Sequence, residues 1–243
     1  MCSIIIIKNS GNLIVATNRD ELLDRASESP KIRREGLLKN FSPKDSSKGG
    51  TWLGLNEKGL FVGITNRFTS RPDQSLTSRG LITKKALEAG SPSEALGRLS
   101  KLRAKDFNPF HLLIANRHET QIFWNDGIKF THFQVTEKSF ILTESSFGAG
   151  ENKRYSFLES HMENLSAEDD CESFKKLLSM KTEPSFEGPL VNIPERNYGT
   201  RSSFIIKLTP DIESSEFYYS NVPPDQNKWI DFKDIILKEK FNI

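Results

Sequence analysis

Four consecutive isoleucines follow Met1-Cys2-Ser3, and no other feature of this chain constrains its fold as tightly. β-Branched side chains favour a pleated, buried surface, so residues 3–7 read as a strand. The polar Asn9-Ser10-Gly11-Asn12 turn and a second apolar run at 13–17 complete a β-hairpin signature. Ordered structure therefore begins at the terminus, and residue 2 is held at the head of a strand. The run is too short for a signal h-region or a membrane span, and no basic stretch precedes it.

A chain of 243 residues with 36% hydrophobic content carries one sizeable core, so a single domain over 1–243 is expected. Lys plus Arg number 34 against 32 Asp plus Glu, which leaves no field to draw in nucleic acid and argues against stable membrane insertion. Cys2 and Cys171 are the only cysteines; this is no disulfide framework and suits a reducing, cytoplasmic setting. His111, His118, His132 and His161 lack metal-ligand spacing, and no Gly-rich phosphate loop follows a strand, so no metal is expected. Trp52, Trp124 and Trp229 read as core or pocket wall rather than as a nucleic-acid platform.

Further along, residues 24–48 are polar and broken by Pro30 and Pro43, and read as a long loop. A second hairpin is expected over 52–55 and 59–66, with its turn at Asn56-Glu57-Lys58-Gly59. Helical spacing marks 83–88 and 93–102, and four short β-rich runs at 110–115, 120–124, 129–135 and 139–143 have the spacing of a meander. Helices at 152–162 and 169–180 and strands at 202–208 and 216–220 complete the pattern. The order predicts an α+β fold, a layered αββα sandwich with two mainly antiparallel sheets.

Chemistry concentrates at the first hairpin. Removal of Met1 would leave Cys2 with a thiol and a free α-amine on one residue. That amine, with a reference pKa of about 7.7 to 8, can take the thiol proton directly or through a water. Cys2 is also readable as a small apolar residue entering a strand. Hairpin pairing brings Asn18-Arg19-Asp20-Glu21 to the same end of the sheet. There Arg19 would lower the thiol pKa and Asp20 would hold the α-ammonium. The competing reading is a solvated polar turn with a weak salt bridge.

Met1-Cys2, Asn18-Arg19-Asp20-Glu21, Gly49-Gly50-Thr51-Trp52-Leu53-Gly54 and Tyr198-Gly199-Thr200-Arg201 together resemble the NRDE family, also called the transport and Golgi organisation family. That family resembles N-terminal-nucleophile (Ntn) hydrolases of the bile-salt and penicillin V acylase type, in which a terminal cysteine attacks an amide carbonyl. The resemblance implies an oxyanion donor at Asn66, alternatively a strand-end cap, and an arginine near the nucleophile at Arg201. Residues 198–200 are also readable as a tight turn. Glu144 stands after strand 139–143 where the relatives carry asparagine, and an ionised carboxylate donates no hydrogen bond to an oxyanion. His111 stands where relatives carry asparagine and is expected as a half-buried strand residue. Two functions follow from the resemblance. One is a cysteine amidohydrolase on a linear, non-peptide C–N bond, needing no cofactor. The other is a binding and trafficking protein that takes haem or an acyl lipid in the same cleft.

Overall fold

The computed structural model describes residues 2–34, 36–68, 72–150 and 153–241. The chain divides into two compact units, one running to Arg25 and resuming over Glu137–Lys238, the other comprising Ala26–Thr136 and the residues from Glu239.

The first unit opens with β1 (Cys2–Lys8) and β2 (Leu13–Leu22). Asn9 closes the turn between them, its Oδ1 accepting from the amides of Gly11 at 3.0 Å and Asn12 at 2.7 Å. The second unit supplies β3 (Ser27–Arg34), β4 (Lys39–Asp45), β5 (Leu53–Asn56) and β6 (Phe61–Asn66), then helices α1 (Gly80–Leu87) and α2 (Pro92–Leu99). Strands β7 (Phe110–Ala115), β8 (Thr120–Asn125) and β9 (Phe130–Gln134) finish it. The first unit resumes with β10 (Ser139–Thr143), α3 (Lys153–Met162), α4 (Cys171–Leu178), β11 (Asn192–Ile193), β12 (Tyr198–Leu208), β13 (Glu216–Ser220), β14 (Trp229–Asp231) and α5 (Lys233–Lys238).

Each unit is one seven-stranded sheet whose strand pairings are antiparallel, as expected. In the first the order is β10-β1-β2-β12-β13-β14, with β11 beside β12; in the second the strands run in sequence from β3 to β9. Ile5, Ile7, Ile14, Ala16, Ile141 and Ile205 form one sheet face that packs on Leu158 of α3 and on Phe174 and Leu177 of α4. The other face of β1 and β2, with Ile4, Ile6 and Val15, is buried as well, which explains a continuous apolar run in place of an alternating one. In the second unit Ile82, Ala86, Leu87, Ala95 and Leu99 of α1 and α2 pack on Val62, Leu112, Ile114 and Phe123.

Three expectations need correction. Residues 24–48 are not one loop, since they hold β3 and β4. Their prolines hide the strands because both sit where ladder bonding lapses. Pro30 falls in the register irregularity between Glu28 and Lys31, and Pro43 lies beyond the Asn40–Asn56 and Phe41–Leu55 pairings that join β4 to β5. The run at 139–143 does not extend the meander: β10 pairs with β1 in the other unit's sheet, bringing Ile141 and Leu142 beside Ile5 and Ile4. Spacing along a chain marks strands but not their partners. His111 is fully buried. Its Nε2 lies 3.1 Å from the Arg67 guanidinium, which can only donate, so Nδ1 carries the proton and donates to Thr65 Oγ1 at 3.3 Å. Of the helix expected over 152–162, Asn152 lies outside the described residues.

Candidate functional site

The site is built where β1 begins and β2 ends. β2 continues five residues past the predicted 13–17, so the Asn18-Arg19-Asp20-Glu21 motif lies within a strand, and its first three residues are buried. Strand alternation sends its side chains to opposite faces. Asn18 and Asp20 turn to the helical side, where Asn18 Nδ2 donates to the carbonyls of Leu178 at 2.9 Å and Pro189 at 2.8 Å. Arg19 and Glu21 take the other face, 3.6 Å apart, with Arg25 3.3 Å from Glu21.

Cys2 pairs directly with Arg19 across the β1–β2 ladder, so the two side chains leave the sheet on one face, and Ser202 of β12 flanks Arg19 on its other side. The Cys2 thiol also points at the carbonyl of Asp20, with Sγ 4.0 Å from the oxygen. Cys2 is partly exposed. Burial pushes the thiol up, and the amino terminus and, least of all, Arg19 offset only part of that. The expected low thiol pKa is therefore corrected: burial outweighs the guanidinium.

Asp20 is fully buried and held from several directions. Its Oδ1 accepts from Thr200 Oγ1 at 2.7 Å and its Oδ2 from Arg154 Nη1 at 2.9 Å, while its carbonyl accepts from Tyr198 OH at 2.8 Å. Burial pushes the carboxyl up, and Arg154 and Thr200 pull it back. Burial also works against the charge on Arg154, but Asp20 and Glu144 overcome it and keep the guanidinium protonated.

Residues 198–200 form no tight turn; they open β12. Tyr198 and Thr200 both reach Asp20, and Thr200 Oγ1 also accepts the Val191 amide at 2.9 Å. Between them, Gly199 has Val191 O only 2.9 Å from the place a Cβ would occupy, so glycine alone lets β11 approach. Arg201 sits at a register shift between Thr200 and Ser202, a β-bulge that re-aims its side chain. It is two strands from Cys2, a backbone separation of about 10 Å. Asn66 belongs to the second unit, where it ends β6 opposite Phe110 and is exposed. Met1 lies outside the described residues. The structure thus brings Cys2, Arg19 and Asp20 together.

Glu144 is buried just past β10, and its Oε2 lies 3.6 Å from Arg154 Nη1, so the carboxylate at the asparagine position has a counter-charge. Arg154 was not among the residues expected from the sequence. Its signal was available: it shares a helix face with Leu158 and Met162 at spacings of four, and a cation on a buried stripe demands an anionic partner.

The sequence profile of the family described as Transport and Golgi organisation 2 matches residues 1–219. The chain belongs to that family. Members from Bos taurus and Mus musculus, both named Transport and Golgi organization 2 homologs, are 29% identical over 115 residues and 28% identical over 147. Those stretches cover 46% and 59% of this chain, and the chain spans only 41% and 51% of the length of these relatives. Among solved structures, the Caenorhabditis elegans ortholog of N-acylethanolamine-hydrolyzing acid amidase superposes with a TM-score of 0.59 at 15% identity, covering 84% of this chain and 92% of that one. Penicillin V acylase from Agrobacterium tumefaciens gives 0.54 at 14%, covering 91% and 83%. A single-residue variant of conjugated bile acid hydrolase from Clostridium perfringens gives 0.52 at 13%, covering 96% and 93%. The fold of this family member is that of the Ntn hydrolases.

Proposed function

We propose that this protein is a cysteine amidohydrolase acting on a linear, non-peptide C–N bond, with Cys2 as nucleophile once Met1 is removed. The observation that carries the reading is the Cys2 thiol, paired with Arg19 across the ladder and facing the Asp20 carbonyl, on a fold shared with an amidase and an acylase. A thiol pushed up by burial is protonated at rest and needs a base, which the α-amine of Cys2 supplies without a histidine. In the proposed reaction the amine takes the thiol proton as sulfur bonds to the carbonyl carbon. The C–N bond then breaks, the proton leaves with the amine product, and a thioester remains. Water attacks the thioester, the C–S bond breaks, and the proton returns to the Cys2 residue. Arg19 and Arg201 would supply positive charge near the thiol, and Asp20 would orient the α-ammonium. Asn66 keeps the oxyanion role implied by the resemblance. Both cysteines are free thiols, which suits the proposed cytoplasmic setting.

Intact mass spectrometry followed by incubation with acyl amides tests the proposal. Loss of Met1 and an acyl adduct on Cys2, absent in Cys2→Ala, are expected; a retained Met1 ends the reading. Turnover should be weak, because a missing oxyanion donor costs about a hundredfold or more, and Glu144→Asn should raise it. Ordinary enzyme rates unchanged by that substitution would show the assignment of Glu144 to be wrong.

A second reading has its own observation. The first unit contains a cavity of about 1040 Å³ lined by Leu23, Phe186, Leu190, Val191, Ile193 and Arg201, among others. Lys181, Glu183, Glu195, Arg196 and Asp225 also line it and Cys2 does not; in this reading the apolar wall takes the body of haem or an acyl lipid and the arginines its anionic group. Tight binding that persists in Cys2→Ala, without turnover, would favour this carrier role.

A further inference from the structure

Beneath the β1–β2 end lies a charge cluster closed off from water. Arg154 is 4% exposed and its guanidinium is used on every side. Nε and Nη2 donate to the Phe186 carbonyl at 3.3 and 3.1 Å, while Nη1 reaches Asp20 at 2.9 Å and Glu144 at 3.6 Å. A carboxylate on β2 and another in the turn after β10 thus share one cation from a helix. A guanidinium this buried is costly to desolvate and is retained only where its partners hold it firmly. Its five donors in a rigid fork suit that task better than a lysine does.

We propose that Arg154 is a positioning residue of the Cys2 site, fixing the Asp20 carboxylate beneath the start of β1 and balancing the charge of Glu144. This deepens the reading of Cys2 as a reactive residue and uses it only to choose the probe. The charged and titratable groups around the thiol are Arg19, Asp20 and Glu21 on β2, Tyr198 on β12, Glu144 after β10, Arg154 on α3 and the terminal amine. Asp20 joins the cluster to the nucleophile, its carboxylate held by Arg154 and its carbonyl faced by the Cys2 thiol. Glu144, read alone as an opponent of an oxyanion, becomes one arm of a paired network.

The test is the pH profile of Cys2 alkylation by iodoacetamide in the full chain, followed by peptide mass spectrometry with Cys171 as internal reference. Arg154→Met removes a cation and should move the midpoint up by about one pH unit, and Glu144→Gln removes an anion and should move it down. Arg154→Lys should recover part of the first shift. A purely structural role would lower the melting temperature without producing shifts of opposite sign. If Arg154→Met fails to fold, Arg154→Lys and the near-isosteric Glu144→Gln decide the matter. An unmoved midpoint in Glu144→Gln, or shifts in the same direction for the two residues, overturns the proposal. Opposite shifts without any amide turnover would leave Arg154 in place and end the amidohydrolase reading; turnover without shifts would do the reverse.

Discussion

Asp20 illustrates how much of this site is held by single atoms. Carboxylate and carbonyl are both engaged, by Thr200 and Arg154 on one and by Tyr198 and the Cys2 thiol on the other. Thr200 has two tasks, donating to Asp20 and accepting the Val191 amide, so Thr200→Val orphans a buried acceptor and a buried donor at nearly constant volume. A loss of about 1 to 3 kcal/mol is expected, read as a lowered urea midpoint; a change within a few tenths would mean that neither bond matters. The Cys2 thiol should alkylate more slowly at pH 7.5 in the native protein than in the urea-unfolded chain, since burial raises its pKa. Its labelling should climb at higher pH than that of an ordinary thiol. Cys171, almost fully buried where Cys2 is partly exposed, and likewise pushed up by burial, should react more slowly than Cys2 in the native state. Faster labelling of native than unfolded Cys2 would contradict this account of the thiol.

Among elements, β12 does most to define the site. Eleven residues long, it lies between β2 and β13, accepts β11 at its start and bulges at Arg201. The bulge lets Thr200 face Asp20 while Ser202 stands opposite Arg19, so one strand serves both faces of β2. Gly199→Ala places a Cβ about 2.9 Å from the Val191 carbonyl, and the backbone of β11 or β12 must shift. Overpacking of this kind costs about 1 to 3 kcal/mol. It should also displace Thr200, so hydrogen exchange at the Thr200 and Val191 amides is expected to quicken, and unchanged protection there would count against the strand as a rigid frame. α3 contributes in another way: Leu158 and Met162 anchor the helix on the sheet, and that anchoring delivers Arg154 to Asp20.

Across the whole molecule, pH should act through two opposed sets of carboxylates. Asp126, Asp170 and Glu94 are held low mainly by the amides of Lys129, Ser173 and Gly90, and Asp73 by the hydroxyl and amide of Ser75. Depressed native pKa values give stability that is present above the unfolded values and lost as pH falls through the native ones. Asp20, raised by burial, has the opposite sign and favours the folded state at low pH. Glu28 joins the first set, held low mainly by Arg33, so with five groups against one the urea midpoint is expected to fall between pH 6 and pH 3; a midpoint that rises would mean that Asp20 dominates. Among the described residues no helix is long and apolar enough to cross a membrane. Whatever depends on near neighbours was legible in the sequence alone: the β1–β2 hairpin, the second hairpin at β5–β6, strands β7 and β10 at their observed bounds, and Cys2 at the same end of the sheet as Arg19. Periodicity and turn chemistry act over a few residues, so they are readable without a fold. It took the folded chain to show that β3 and β4 are strands, that β10 joins β1, and that Arg154 and Thr200 meet at Asp20, from which they are separated by 134 and 180 positions. Those outcomes depend on which edges and buried charges are left wanting partners once the chain has closed on itself, and no local pattern records that.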